Sequence, residues 1–327
     1  MYNIDFSEPL WIVNYYHFIG ISSLLGNIFG IYLLIFQTKE LGEFRYYLLL
    51  FQVVCTATDL NLTTFMKFLP YYPINALGTI GYFSQWFNMP THYCMLVSLT
   101  FIYYESECLA LCFFQKHQKI ASVIDVHVIP RYAIIIGSLI FLAFPVYPII
   151  AMQILDVGQE KQLEYIKEVR NLFDYYAGFS TVPHFAIYVD SPLLYSVYSV
   201  VLLTMGAIFG CLVLVNTDLI RLMVRLKPQI SQQNYQKHAE AIQSLIVQMF
   251  VAGLCALPLF GVAFVLAFQM ENGQLIGKLM FVCCTCHSTI NMISLFIFFP
   301  PYRRYLLKKF GIKRRSLFQV GASSVLS

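Results

Sequence analysis

The sequence predicts an all-α fold, a bundle of seven transmembrane helices followed by a short amphipathic helix. Of the 327 residues, 58% are hydrophobic and only 12% are charged, about half the charged fraction of a soluble domain. Seven charge-poor segments are also long enough to cross a membrane, which takes about 20 residues as a helix. Their predicted bounds are residues 13–36, 46–69, 90–114, 132–155, 193–217, 241–268 and 276–299.

Long stretches without any charged residue support most of these segments. Such stretches separate Glu8 from Lys39, Arg131 from Asp156, Asp190 from Asp218, Glu240 from Glu271, and Lys278 from Arg303. The second and third segments are less clean, because they contain the acids Asp59, Glu105 and Glu107. An isolated acid is still compatible with a membrane span if it faces the other helices of the bundle.

The distribution of lysine and arginine predicts the orientation in the membrane. An odd number of spans places the two ends of the chain on opposite sides. With the N-terminus outside, 16 of the 21 Lys and Arg residues lie on the inner side and 5 on the outer side. Short cytoplasmic loops are enriched in these residues, so we expect the N-terminus to lie outside.

The segments that flank the spans have patterns of their own. The outer loop 156–192 begins with apolar residues at helical spacing, which predicts a short amphipathic helix against the outer mouth of the bundle. Those residues are Leu163, Ile166, Val169 and Phe173.

After the last span, apolar side chains share one helical face over 301–310, flanked by cations. This pattern predicts an amphipathic helix on the anionic inner leaflet, stopped by Gly311, with an unstructured basic tail as the alternative. The transmembrane domain would then comprise residues 1–315, and we expect 316–327 to be disordered.

Polar residues at mid-membrane depth are the first candidates for a functional role. Asp59 lies near the middle of the second span and His287 near the middle of the seventh. Ionisable groups at this depth are costly and usually find polar partners inside the bundle. We therefore predict a midplane cluster of Asp59, His287, Ser288 and Asn291, which either switches between states or only packs.

Two further features concern movement of the bundle. Glu105 or Glu107, in the inner half of the third span, could pair with a basic residue of the inner loops as a restraint, or could extend to the inner interface. Pro258 should kink the sixth span, because proline removes a backbone hydrogen bond and crowds the preceding turn. That kink could be a hinge or a static bend.

No cofactor is predicted. Cys283, Cys286 and His287 have the spacing of covalent haem attachment, but they lie inside a span. A closed zinc site needs four ligands, and the sequence does not assemble them. Neither a phosphate-binding glycine loop nor a nucleophile with its base is recognisable, so we expect that the protein is not an enzyme. The basic residues lie along the inner membrane surface, so we expect no nucleic-acid partner.

Four stretches resemble a known family: 4–38, 44–74, 103–121 and 301–307. The arrangement is similar to a heptahelical G-protein-coupled receptor, and the chain resembles the nematode serpentine chemoreceptors of class I, the Sri family. Class H is the alternative within that superfamily. The Pro-Tyr-Arg turn at 301–303 is common to the wider superfamily.

The resemblance implies a plasma-membrane receptor, in the cilia of sensory neurons, that signals through a heterotrimeric G protein. Two features of rhodopsin-like receptors are missing. Residues 115–119 read QKHQK instead of Asp/Glu-Arg-Tyr, and Cys94 has no partner cysteine in the outer loop. The ionic lock and the loop disulfide of that class are therefore not carried over, although Asp59 lies where that class keeps an acid in the second span.

These inferences predict a chemosensory receptor that binds a small, apolar or weakly polar molecule between the outer halves of its helices. The predicted ligand-binding residues are Trp86, Phe87, His92, Met95, Tyr195, Tyr198 and Phe281. The predicted G-protein face comprises Glu107, Lys116, Lys119, Arg221, Arg225, Arg303 and Arg304. A ligand-gated channel or a small-molecule transporter of the plasma membrane is the alternative, although transporters usually contain internal repeats and none is visible.

Overall fold

The computed structural model describes residues 3–38, 41–169 and 172–309. Within these ranges, seven helices are long and apolar enough to cross a membrane. The predicted fold class is thereby confirmed. We number them span 1 to span 7, and we call the end of the bundle that carries the N-terminus the outer end.

The spans run as follows. They are Leu10–Phe36 (span 1), Phe44–Met66 (span 2), Thr91–Ile124 (span 3), Tyr132–Leu155 (span 4), Pro192–Leu226 (span 5), Gln232–Phe268 (span 6) and Gly273–Phe298 (span 7). Span 2 is α-helical to Leu60 and then becomes a π-helix over Asn61–Met66. Span 4 consists of two helices, Arg131–Ala143 and Val146–Leu155, interrupted next to Pro145.

Spans 3, 5 and 6 extend further at their inner ends than the charge-poor segments do. Span 3 continues to Ile124 and span 5 to Leu226, while span 6 begins at Gln232. The predicted segments ended near the first charges, because the hydrocarbon core excludes them. A helix can nevertheless continue past the membrane surface, because its charged side chains are solvated there.

A small antiparallel sheet at the outer end was not predicted. Its strands β1 (Phe68–Pro70), β2 (Ala76–Thr79) and β3 (Phe185–Ile187) lie in the order β1-β2-β3, with Leu69 opposite Gly78 and Leu77 opposite Ala186. Every residue of the three strands is buried. Short apolar runs do not distinguish strand from helix, which explains why the predicted second segment continued to residue 69, although span 2 ends at Met66 and β1 begins at Phe68.

The outer loop before β3 packs onto this sheet. It contains a helix over Gln162–Glu168, whose Ile166 is fully buried beside Ile12 and Phe179. The helical spacing that the sequence shows continues to Phe173, but that side chain is 59% exposed. The helix ends at Glu168, so Phe173 no longer follows its buried face.

A last helix, Pro300–Lys309, follows span 7 at the inner end. Its Tyr302 is buried and donates a hydrogen bond to the carbonyl of Gly30, at 3.0 Å, while Arg304 pairs with Glu240 at 3.3 Å. The helix is therefore fastened to spans 1 and 6. The predicted stop at Gly311 and the predicted disordered tail 316–327 lie outside the described residues.

Gly81 provides a test of how the outer sheet joins span 2. Its backbone N–H donates to the carbonyl of Met66 at 2.9 Å, and a Cβ atom here would lie 2.1 Å from the carbonyl oxygen of Phe65. Forcing extra atoms into a packed site costs about 1–3 kcal/mol. We expect Gly81→Ala to lower the midpoint of thermal unfolding of the detergent-solubilised protein by roughly 5 °C.

Gly137→Ala is the matched control, because a Cβ at Gly137 of span 4 meets nothing within 4 Å. Alanine is the better helix former, so this midpoint should stay or rise. Equal midpoints for the two variants would contradict the described junction.

Candidate functional site: an outer cavity above a buried polar network

A cavity of about 160 Å³ lies near the outer end of the bundle. Spans 2 to 7 contribute its inner and side walls, and the sheet with its connections contributes the outer wall. The lining is predominantly apolar and consists of Leu62, Phe68, Tyr72, Asn75, Ala76, Leu77, Met95, Ser98, Leu99, Ile102, Met152, Tyr188, Val197, Tyr198, Val201, Leu202, Pro258, Val262, Phe281 and Cys284. The cavity is thus closed towards the outside by the element that the sequence did not predict.

The structure brings three of the predicted ligand-binding residues to this cavity. Met95, Tyr198 and Phe281 line it, from spans 3, 5 and 7. Pro258, predicted to kink span 6 as a hinge or a static bend, also lines it. His92 does not, although it is buried and supports the wall, since its Nδ1 lies 3.0 Å from the hydroxyl of Tyr188.

The other three predicted ligand-binding residues lie outside the cavity. Trp86, Phe87 and Tyr195 are 71%, 72% and 47% exposed. Trp86 and Phe87 belong to a separate short helix, Tyr82–Phe87. Tyr195 lies on the face of span 5 that points away from the other helices. Aromatic type alone does not separate a lining residue from a lipid-facing one, because both surroundings are apolar.

Polar groups in the cavity wall are held by hydrogen bonds. Asn75 accepts from the Tyr198 hydroxyl at 3.3 Å and donates to Asp190, and Ser98 accepts from Asn61 at 2.8 Å. Burial raises the pKa of Tyr188 well above its usual range, so its hydroxyl stays neutral. Asn75 was missed, although an amide side chain inside the mainly apolar run 68–80 was an available signal.

Directly inward of the cavity, spans 1, 2 and 7 share a buried polar network. Asp59 is hydrogen-bonded to Ser23 and accepts from Asn27 Nδ2 at 3.1 Å, and Asn27 Nδ2 also lies 2.9 Å from Ser288 Oγ. Gln52 donates to Asn27 at 2.6 Å. Two members of the predicted midplane cluster, Asp59 and Ser288, are thus joined through span 1.

Span 1 had not been predicted to contribute. Ser23 and Asn27 are four residues apart in a stretch without charges, so they lie on one helical face, and this was the signal that would have found them. Asn291 is buried beside the network, but its side-chain nitrogen and oxygen have no hydrogen-bond partner among the described residues.

His287 forms the connection to span 3. Its Nε2 lies 2.8 Å from Glu105 Oε1, its Nδ1 lies 2.6 Å from the carbonyl oxygen of Cys284, and Asp59 Oδ1 is 4.0 Å from Nδ1. Both members of the His287–Glu105 pair are buried. The expected pairing of Glu105 or Glu107 with an inner-loop base was therefore wrong for Glu105, because a partner at the same membrane depth lies closer.

Only some of the residues predicted to form the G-protein face are exposed at the inner end of the bundle. Lys119, Arg221, Arg225 and Arg304 are exposed and Arg303 is half-buried. Lys116 is only 5% exposed, with its Nζ 5.1 Å from the centre of the Phe44 ring, and Glu107 is half-buried in span 3. Lys116 therefore does not belong to an open surface.

A polar contact at the inner end of span 3 was missed. Asp218 of span 5 lies 2.7 Å from His117 Nε2 and 2.9 Å from His127 Nδ1. This contact joins spans 3 and 5 and the loop between spans 3 and 4, next to the place where rhodopsin-like receptors keep their acidic motif. Two histidines and one aspartate 91 or more residues away gave no local pattern to recognise.

Comparison with known proteins decides the family. The family model for serpentine type 7TM GPCR chemoreceptors, Sri, matches residues 2–306. The chain belongs to the Sri family. The resemblance to class I is therefore confirmed, and this Sri receptor is a multi-pass membrane protein of a family that is not an enzyme family. Among curated proteins, none matches the chain.

The buried His287–Glu105 pair of the Sri receptor can be tested by unpairing it. His287→Leu leaves the Glu105 carboxylate buried without its partner, and breaking a buried ion pair in this way costs about 3–5 kcal/mol. We expect a drop of roughly 10 °C in the unfolding midpoint. Adding Glu105→Gln removes the stranded charge and should recover a large part of the loss.

Glu107→Gln, two positions along the same helix, is the matched control in the His287→Leu background. Glu107 is half-buried, and its Oε1 has no hydrogen-bond partner in the described part of the chain, so this change should recover nothing. Equal recovery by both glutamines would show that the pairing is not specific.

Proposed function

We propose that this Sri receptor binds a small apolar chemical cue in the outer cavity and signals through a heterotrimeric G protein. It would act at the plasma membrane, with its N-terminus outside, in the cilia of sensory neurons. The observation that supports this most is the apolar cavity near the outer end, placed where three predicted ligand-binding residues meet. Ligand pockets are typically apolar, with a few placed polar groups.

The size of the cavity limits the ligand. A cavity of about 160 Å³ is close to the ~150 Å³ of an engineered apolar cavity that stays dry and binds benzene. The cue would then be a molecule with a single ring or a short chain, of roughly ten heavy atoms or fewer. Asn75 and the hydroxyls of Tyr188 and Tyr198 supply hydrogen bonds for at most one weakly polar group, such as a carbonyl.

The same residues suggest how binding reaches the inner end. A ligand changes a population only if it binds one arrangement of the bundle better than the other. Here the lining includes Pro258 of span 6, which we take as the hinge, and Cys284 of span 7. The Cys284 carbonyl accepts from His287 Nδ1 at 2.6 Å, so a shift of span 7 at the cavity would act on the His287–Glu105 pair.

At the inner end, the exposed cations would contact the G protein. Lys119, Arg221 and Arg225 project from the inner ends of spans 3 and 5, next to the contact of Asp218 with His117 and His127. Separation of spans 3 and 5 would require that this contact open. We assign to it the restraining role that the sequence had suggested for Glu105 or Glu107.

Filling the cavity tests the ligand site. Val201 of span 5 lines the cavity, and phenylalanine there would occupy much of its volume. In cells that express the receptor with an N-terminal epitope tag, a panel of small ring compounds and short-chain ketones should activate the G-protein readout, and Val201→Phe should reduce that response at least tenfold at equal surface expression.

Leu203→Phe is the matched control, because Leu203, two positions away, is 72% exposed on the lipid side. Its response should equal that of the unchanged receptor. An equal loss in both variants would argue against this cavity. A tag hidden in unpermeabilised cells would contradict the proposed orientation, and a ligand-gated current without a G-protein signal would favour the channel alternative.

Reversing charge at the inner end tests the G-protein face. The double variant Arg221→Glu, Arg225→Glu should lose most of the G-protein signal while the receptor still reaches the surface. The two arginines are proposed to contact acidic groups of the G protein, and glutamates in their place would repel those groups. Lys161→Glu with Lys167→Glu makes the same charge change at the outer end, on exposed residues, and should leave signalling intact. Full signalling from the arginine variant would remove this surface from the mechanism.

A further inference from the structure

Three side chains with metal-binding atoms meet in the centre of the bundle. They are Cys55 of span 2, Glu105 of span 3 and His287 of span 7, all buried, and one ligand atom from each lies within 4.8 Å of the other two. Cys55 Sγ is 3.9 Å from His287 Nε2, and Glu105 Oε1 is 2.8 Å from the same nitrogen. The three residues come from three different helices.

The hydrogen bonding of His287 determines what its Nε2 can do. A carbonyl oxygen only accepts, so the 2.6 Å contact with the Cys284 carbonyl places a proton on Nδ1. In a neutral imidazole Nε2 is then an acceptor, and it faces the carboxylate oxygen of Glu105, which is also an acceptor. Two acceptors at 2.8 Å require a proton between them, and a zinc ion that replaced this proton, bound to each atom at about 2.0–2.2 Å, would hold the two atoms slightly further apart.

The orientation of the histidine favours a metal. Histidines that bind metals almost always donate their other ring N–H to a carboxylate or a backbone carbonyl, which fixes the ring and its tautomer. His287 has this arrangement through Cys284.

Unpartnered oxygens around the three residues are a second, independent indication. Glu105 Oε2 and Asp59 Oδ1 are buried and have no hydrogen-bond partner in the described part of the chain. Their residues are only 4% and 2% exposed. Buried carboxylates are normally paired or bound to a metal, and one imidazolium cannot neutralise two of them.

We propose that Cys55, Glu105 and His287 form a binding site for a divalent transition-metal ion of the zinc class. The mixed sulfur, nitrogen and oxygen donor set suits zinc, whereas magnesium and calcium prefer oxygen ligands alone. Three protein ligands leave a fourth position for water or for Asp59. The sequence had predicted no metal, because these ligands are separated by 182 or more residues from His287.

Metal binding is balanced by the loss of protons. A Zn–S bond replaces the S–H bond of Cys55, and the proton shared by Glu105 and His287 is displaced by the ion. Both protons leave to solvent, and no group is oxidised or reduced. Binding should therefore strengthen as the pH rises, and the ion would link spans 2, 3 and 7 directly inward of the outer cavity.

The test uses the purified full-length receptor and Co²⁺ as the spectroscopic probe. We expect one Co²⁺ per chain, with a thiolate-to-cobalt charge-transfer band in the near ultraviolet that Zn²⁺ removes by competition. Zn²⁺ at about 100 times its dissociation constant should raise the unfolding midpoint by roughly 5 °C, and Mg²⁺ should not.

Cys55→Ser should abolish the band, and Cys286→Ser should keep it, because the Cys286 sulfur contacts the Cys283 carbonyl instead. If Cys55→Ser does not fold, Glu105→Gln provides the second variant, and it should lose most of the zinc-induced midpoint shift. Absence of the band in the unchanged receptor, or its persistence in Cys55→Ser, would overturn the proposal.

Discussion

The contact between His287 and Glu105 is the constraint around which the rest of the bundle is arranged. Two ionisable side chains at mid-membrane depth are expensive to bury, and they are tolerated only when each compensates the other. Their 2.8 Å contact fixes the rotation of span 7 relative to span 3. Span 1 then follows, because Ser23 and Asn27 must reach Asp59 on span 2 and Ser288 on span 7.

The outer cavity depends on that arrangement from one side and on the small sheet from the other. Span 7 presents Phe281 and Cys284 to the cavity one to two turns before His287, so the polar network and the cavity share a helix. On the outer side, the π-helical end of span 2 leads into β1, and β3, which lies in the loop between spans 4 and 5, completes the sheet. The cavity is therefore closed by backbone hydrogen bonds between two loops rather than by helix packing alone.

The inner end is organised by a different kind of contact. Asp218 gathers two histidines, and Tyr302 fastens the last helix to the carbonyl of Gly30. The Asp218 contact is partly open to solvent, where polar interactions are weaker than in the core, whereas the Tyr302 hydrogen bond is buried. The polar contact that joins spans 3 and 5 is thus the more exposed of the two.

The sequence by itself determined the number of spans, the family and the last helix, and it suggested the orientation. Each of these follows from local properties, namely runs without charge, the sign of the flanking charges and the quoted family stretches. It also placed Asp59 and His287 near the middle of their spans, because position along a span is counted along one helix.

Only the tertiary structure decided which side chains meet. In a soluble protein the apolar face of a helix marks its buried side, but in a membrane both lipid and protein interior are apolar, so the pattern does not reveal the rotation of a helix. For that reason Trp86 and Tyr195 could not be told from Phe281, nor could Cys55 and Glu105 be recognised as neighbours of His287. The sheet was hidden for a related reason, since short apolar strands carry no signal that separates them from the end of a span.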